Sequence, residues 1–219
     1  MKKIYISLML VLDETTAVQN VNDLGRFRAG VYSALRGMNT GGWITYQDIQ
    51  MDQFHGLISN GNRVGTFSNG LLTSADGDIE SMFAGCYSRI ATANYLIEKA
   101  GEMAKSGAYD EANLALINRY KAEGHFLRAY SMFNLAVAHT LYYTGENGDE
   151  LGLSLQTTDF EDSSARANLA DTWAAIDADL QEALKITVKL QGKDGRRRVW
   201  RATTASVNAF AARYYLYRG

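Results

Sequence analysis

Side chains that can bind a polar ligand concentrate between residues 39 and 75, in a stretch rich in glycine, asparagine and serine. Long loops of this kind in compact domains are usually functional or disordered. An aromatic ring can cover the apolar C–H face of a sugar, while amide and guanidinium groups hydrogen-bond its hydroxyls. The stretch therefore predicts a carbohydrate site, against the alternative that its aromatic residues only pin the loop to neighbouring helices. The candidate ligand-binding residues are Phe54, His55, Asn60, Asn62 and Arg63.

The other residues that could do chemistry form no known catalytic or metal-binding motif. The three histidines are dispersed along the chain, and His125 and His139 would lie ~21 Å apart on one helix at ~1.5 Å per residue. The acidic clusters at residues 76–78 and 146–150 lack the full spacing of a calcium loop. They predict a helix cap and a solvated turn, respectively. We expect no catalytic residue, no metal and no cofactor, since no phosphate loop, nucleophile elbow or metalloprotease motif is present.

Several charged residues lie inside apolar segments. Glu123, Arg128 and Arg213 are flanked by apolar side chains, and charges in such positions are normally paired. We therefore predict internal ion pairs for them. The run of arginines at residues 196–198 predicts a solvated turn. We expect Cys86 to be buried as a small side chain within an apolar helix.

Composition excludes several classes of protein. The 219 residues carry 22 basic and 24 acidic groups, a net charge of −2, which excludes a basic nucleic-acid binder. The single cysteine excludes a disulfide framework. No apolar run approaches the ~20 residues of a membrane-spanning helix. Proline is absent, which is compatible with long helices because proline breaks helix interiors.

Hydrophobic periodicity predicts five helices. The third is apolar on two sides, which predicts a helix sandwiched between neighbours, and its small residues Ala122, Gly124 and Ala129 allow another helix to approach closely. A second long polar connection follows it at residues 145–167. The predicted fold class is all-α, with tetratricopeptide-like stacked helix pairs, long irregular loops and almost no sheet. The predicted helices span residues 18–38, 78–105, 110–143, 169–190 and 203–217.

The first twelve residues have the charged and apolar regions of a secretory signal but no cleavage site. We interpret residues 1–12 as a clipped signal-peptide-like segment, with a short apolar N-terminal segment as the alternative. Either way they are left out of the fold. The helical domain is predicted to span residues 13–219.

One long stretch of the third helix carries a family resemblance. Residues 122–135 resemble the AEAxFLRAYxYFxL motif of the SusD/RagB family of surface nutrient-binding lipoproteins. Three further segments resemble family motifs in the same order, at residues 87–97, 176–184 and 201–217. The family's tryptophan before the first of these is Met82 or Phe83 here, and the lipid-bearing cysteine is missing. The resemblance covers only the N-terminal portion of the family.

The resemblance implies a function as well as a fold. Family members are tethered to the outer membrane, reach the cell surface through a signal peptide, and deliver oligosaccharides or sometimes peptides to a TonB-dependent, SusC-like transporter. They bind and do not catalyse. We therefore expect an oligosaccharide ligand and no nucleic acid, with outer-membrane association through a lipid anchor that this chain does not contain. The alternatives are a tetratricopeptide-like protein–protein interaction scaffold without a small ligand and, third, an unrelated glycan-processing enzyme.

Overall fold

The structure is a computed structural model, which describes residues 18–37, 72–73, 76–156 and 165–218 and the single positions 49, 57, 59 and 61. Within these residues the chain is mostly helical, so the predicted all-α class is confirmed. The elements in chain order are α1 (Val21–Arg36), α2 (Gly77–Lys105), α3 (Glu111–His139), β1 (Leu151–Ser154), β2 (Arg166–Asn168), α4 (Leu169–Ala183) and α5 (Thr204–Arg218).

Three of the helices begin with a side-chain cap. Asn20, Asp110 and Asn168 each accept a hydrogen bond from a backbone N–H in the first turn of α1, α3 and α4, which satisfies a donor that the helix itself leaves free. The sequence predicts the same role for Asp76 at the start of α2. Asp76 holds the N-cap position, but its carboxylate accepts the backbone N–H of Thr73 at 2.7 Å instead. The predicted side-chain cap is therefore wrong for α2.

Two helices end earlier than their periodicity predicts. α3 stops at His139 rather than near residue 143, because Thr140 adopts an extended backbone conformation and its hydroxyl donates to the carbonyl of Ala136. α4 stops at Ala183 rather than near residue 190. Its continuation leaves the helix because the carbonyl of Val188 accepts the backbone N–H of Thr204, the first residue of α5.

The long helix α3 lies at the centre of the fold, packed against α1, α2, α4 and α5. Phe133 on α3 is fully buried and meets Trp173 of α4 and Phe210 of α5 edge to face, with ring centroids 5.9 and 5.5 Å apart. On the other side, a Cβ at Gly124 would lie 2.8 Å from Cγ1 of Ile97, so the absent side chain permits the close approach of α2. The predicted sandwiched helix is confirmed.

The small sheet pairs β1 and β2 antiparallel, with an irregularity between its two ends. Gly152 in β1 has no room for a side chain, because a Cβ there would overlap Oγ1 of Thr172 and the carbonyl oxygen of Asn168. The strands are thereby pressed onto the first turn of α4. Cys86 is fully buried in α2, as predicted. Across the described ranges, no helix is both long enough and apolar enough to cross a membrane.

Candidate binding site

The five predicted ligand-binding residues lie outside the described residues. These are Phe54, His55, Asn60, Asn62 and Arg63. Among the described positions between them, Gly61 has a φ of +74°, in the left-handed region that favours glycine. The assignment of these five side chains to a carbohydrate site stays a prediction.

The buried charges on α3 join helices to one another. Glu123 is fully buried, and Nη1 of Arg28 on α1 donates to both of its carboxylate oxygens at 3.3 and 3.2 Å. Arg119, one turn earlier on α3, approaches the same carboxylate at 3.6 Å. Burial raises the pKa of Glu123, against the opposing effect of Arg28. The internal ion pair predicted for Glu123 is confirmed, and it ties α1 to α3.

A second buried network joins α3 to α4 and α2. Nε and Nη2 of Arg128 donate to the two carboxylate oxygens of Asp179 at 2.6 and 2.7 Å, and Nη1 donates to the side-chain oxygen of Asn94 at 2.9 Å. Nδ1 of His125 lies 2.7 Å from Asp179 as well. Burial opposes ionisation of Asp179, but the hydrogen bonds from Arg128 and His125 outweigh it and hold its pKa below the usual value. The prediction of an internal ion pair is confirmed for Arg128.

Arg213 departs from that prediction. It is exposed on α5, and its guanidinium carbon lies 5.4 Å from the centroid of the Phe133 ring. A cation over an aromatic face is attracted by the ring quadrupole. Arg213 therefore covers the aromatic core and forms no ion pair within the described residues.

Metal binding has no support in the part of the chain that the structure describes. It contains no group of three or more histidine, cysteine, aspartate or glutamate side chains that could hold an ion. His125 is engaged by Asp179, whereas His139, at the C-terminal end of α3, lies beside Phe83 with ring centroids 5.3 Å apart.

A cavity of about 430 Å³ opens where α2, the end of α3 and the small sheet meet. We call it the Phe83 pocket. The ring of Phe83 is 42% exposed and stands next to Tyr87, one turn further along α2, with ring centroids 4.9 Å apart. An aromatic residue presented at a cavity mouth offers an apolar face to a ligand. The residues that line the pocket include Phe83, Tyr87, His139, Ser154, Gln156 and Arg166.

Polar groups of the Phe83 pocket come from several elements. Nε2 of His139 is buried without a hydrogen-bond partner among the described residues. Burial, assisted by the nearby Arg166, lowers the pKa of His139 and favours the neutral imidazole. Nε of Arg166 donates to the carbonyl of Gly152 at 2.7 Å, which anchors the guanidinium along the strand pair. The hydroxyl of Tyr87 donates to the carbonyl of Ser154 and accepts its N–H, at 3.2 and 3.1 Å.

This geometry can do what the sequence assigns to the stretch between residues 39 and 75. The pocket combines an exposed aromatic ring with an imidazole nitrogen that has no partner, an amide and a guanidinium. A buried polar atom without a partner is uncommon in native proteins and is satisfied when a ligand bonds to it. The pocket is therefore the described cavity that best fits a polar ligand with an apolar face, such as a sugar ring.

Comparison with known proteins decides the family. A family model described as "Starch-binding associating with outer membrane" matches residues 9–216. The chain belongs to this SusD-like family. SusD-like proteins are binding proteins, and the family is associated with the outer membrane. No curated protein matches the chain.

Solved SusD-like structures share the fold. A SusD superfamily protein from Bacteroides thetaiotaomicron has 19% identity to this chain and a TM-score of 0.67. The match covers 91% of this chain and 43% of the Bacteroides protein. A laminarin-binding SusD-like protein has 22% identity and a TM-score of 0.68, with 92% and 41% covered. A SusD-like carbohydrate-binding protein from Bacteroides vulgatus has 15% identity and a TM-score of 0.68, with 91% and 42% covered. The predicted tetratricopeptide-like helical architecture is confirmed, and the chain spans less than half the length of these neighbours.

Sequence reasoning missed the Phe83 pocket as a site. It assigns His139 no ligand, and it mentions Phe83 only as one of two residues, with Met82, that stand where the SusD/RagB family has a tryptophan. Two signals could have found the pocket: the i, i+4 spacing of Phe83 and Tyr87, which places both rings on one helix face, and the use of an aromatic residue where SusD-like proteins often have tryptophan.

Proposed function

We propose that this chain is part of a cell-surface protein that captures oligosaccharides and passes them to a TonB-dependent, SusC-like transporter of the outer membrane. The observation that carries the proposal is the family match over residues 9–216, whose description names starch binding and the outer membrane. The role is binding without catalysis. Residues 1–12 then act as a signal-peptide-like segment, and residues 13–219 form the N-terminal helical part of such a protein.

The names of related structures support carbohydrate as the ligand class. One neighbour is named as laminarin-binding and another as carbohydrate-binding. Laminarin and starch are both neutral glucans, so the first ligands to test are neutral gluco-oligosaccharides. Their rings have an apolar C–H face and a rim of hydroxyls, which is the chemistry that the Phe83 pocket complements.

Binding in the Phe83 pocket would use both features of the cavity. The exposed face of Phe83 stacks on a pyranose ring, and Nε2 of His139 hydrogen-bonds to a hydroxyl at its edge. The amide of Gln156 and the guanidinium of Arg166 add donors in a fixed orientation. The predicted loop residues Phe54, His55, Asn60, Asn62 and Arg63 supply a second set of the same chemistry between α1 and α2.

The test is calorimetric titration of the chain with laminarihexaose and maltohexaose. We expect Phe83→Ala to weaken binding of the preferred hexaose about tenfold, since an aromatic contact contributes about 0.5–1.5 kcal/mol beyond its buried area and tenfold in affinity corresponds to about 1.4 kcal/mol. Tyr215→Ala removes another half-exposed ring, on α5, and should leave the affinity unchanged.

Four outcomes discriminate between the possible sites and functions. Loss of affinity in Phe83→Ala supports the Phe83 pocket, whereas loss only in Phe54→Ala and Asn60→Ala places the sugar on the loop between α1 and α2. Binding of neither hexaose, together with capture of the transporter, would contradict glycan binding and favour the protein–protein scaffold. Hydrolysis of either hexaose would contradict the assignment of a non-catalytic role.

A further inference from the structure

A second cavity lies on another part of the surface, between α1 and the start of α5. It has a volume of about 580 Å³, and Phe126 of α3 lies among its lining residues. The indole of Trp200 is 51% exposed at this cavity, and Ser33 and Ser206 also line it. We call it the Trp200 groove. Like the Phe83 pocket, it places an aromatic ring beside hydroxyl groups.

The charged cluster behind this groove is unbalanced. Three guanidinium groups, those of Arg28, Arg119 and Arg201, act on the single carboxylate of Glu123. Arg28 is only 6% exposed and Glu123 is fully buried, whereas the side chain of Arg119 is 31% exposed, so water reaches only the outer part of the cluster. In a chain whose net charge is −2, the described residues thus gather three cations around one carboxylate.

The hydrogen bonds of the cluster are also incomplete. The Nε atoms of Arg28 and Arg201 are buried and have no hydrogen-bond acceptor within the described ranges, whereas Nε of Arg119 lies 3.6 Å from a carboxylate oxygen of Glu123. A buried donor left without an acceptor is costly, the more so when it carries charge. Burial and the neighbouring Arg119 both lower the pKa of Arg201, which agrees with an excess of positive charge around it. An additional acceptor, preferably an anion, would relieve both deficits.

The groove leads directly to this cluster. Arg201 and Tyr32 line the groove, and the hydroxyl of Tyr32, which accepts the N–H of Ala202 at 2.8 Å, lies near the carboxylate of Glu123. The guanidinium carbons of Arg28 and Arg201 each lie 5.3 Å from the centroid of the Trp200 ring. A ligand resting on the indole therefore sits within reach of the outermost arginine of the cluster.

We propose that the Trp200 groove binds an acidic sugar, a hexuronic acid residue whose ring rests on Trp200 and whose carboxylate pairs with Arg201. Arginine suits this role because its planar fork of donors matches a carboxylate. The choice of a sugar rests on the proposed function and on the indole and hydroxyl lining, whereas the carboxylate follows from the charge imbalance alone. The groove thus adds a subsite that selects for acidic glycans, separate from the Phe83 pocket.

The experiment compares trigalacturonic acid with the neutral galactotriose of the same linkage, by titration of the whole chain. We expect the acid to bind at least tenfold more tightly at low salt, and the preference to fall as salt rises, because exposed charges are screened. Arg201→Gln should abolish the preference. Arg196→Gln is the matched control, since it removes the same charge from the exposed turn nearby, and it should keep the preference.

Further measurements keep the test decisive if Arg201→Gln folds poorly. Trp200→Leu leaves every arginine in place and should weaken both trisaccharides, with melting curves used to check that the fold is retained. Equal affinity for the two trisaccharides, or a preference that survives Arg201→Gln, would overturn the proposal while leaving neutral glycan binding at the Phe83 pocket intact. Competition by a short polyglutamate peptide at the same concentration as the uronate would also overturn it, in favour of an acidic peptide ligand.

Discussion

The substitution Asp179→Asn tests whether the buried network on α3 stabilises the packing of α4. Asparagine has nearly the shape of aspartate but no charge, and it keeps one acceptor oxygen where the carboxylate has two. In the native protein those oxygens accept two hydrogen bonds from Arg128 and contact His125. The substitution removes the ion pair between Asp179 and the guanidinium of Arg128, which is 9% exposed.

The expected cost follows from the loss of that buried ion pair. Removing one partner of a buried ion pair costs about 3–5 kcal/mol, which for a domain of this size lowers the melting temperature by roughly 6–20 °C at about 2–4 °C per kcal/mol. Asp177→Asn removes the same charge two residues earlier on α4, where the carboxylate contacts Gln181 at 3.4 Å. This control should change the stability by no more than about 0.5 kcal/mol.

The pH dependence gives a second readout of the same substitution. The pKa of Asp179 is lowered in the folded protein, so its ionised form contributes stability that is fully present above the unfolded value of about 3.9. That contribution is lost as pH falls through the lowered, folded pKa. Circular dichroism melts should therefore show a difference between wild type and Asp179→Asn that is constant at neutral pH and shrinks below about pH 4. Equal melting temperatures at pH 7 would refute the reasoning.

Three further predictions concern single positions. Burial raises the pKa of the Cys86 thiol to about 11, so an aromatic disulfide reagent at pH 8 should label the denatured chain but not the native one; rapid native labelling would contradict this. Gly152→Ala should destabilise the fold by more than about 2 kcal/mol and weaken glycan binding, because a Cβ would overlap Thr172. Gly30→Ala, with open space around it, should instead stabilise α1 by about 0.5–1 kcal/mol in melting experiments. A lower melting temperature of Gly30→Ala would argue against the described packing of α1.

The helices could be predicted because periodicity is a local property of the sequence. The end of α4 was harder to predict, because the segment after it pairs with residues further along the chain. Nothing near residue 188 signals that its carbonyl will accept the N–H of Thr204. The cap expected from Asp76 failed for a local reason, since the backbone N–H of Thr73, three residues earlier, competes for its carboxylate.

The candidate site was less accessible to sequence reasoning than the fold. Sequence analysis recognised the right combination of chemical groups, an aromatic ring with amide and guanidinium groups, but assigned it only to a stretch where those groups are close along the chain. In the Phe83 pocket such groups come from α2, α3, β2 and the segment that follows β1. Only folding brings Phe83, His139 and Gln156 to one cavity, so neither spacing nor composition could have joined them.

The stretch that carries the family resemblance is explained by packing rather than by ligand binding. Within it, Glu123 holds α1 through Arg28, and Gly124 admits α2 at Ile97. Arg128 holds α4 through Asp179, and Phe133 in the aromatic core meets Phe210 of α5.

These contacts face the interior, whereas much of the lining of both proposed sugar sites belongs to helix ends and connections, where substitution disturbs packing less. A match to this motif therefore predicts the helical scaffold and the binding class together, but it leaves the ligand open. The identity of the sugar must be sought in the residues that line the cavities, with the exposed rings of Phe83 and Trp200 as the first to test.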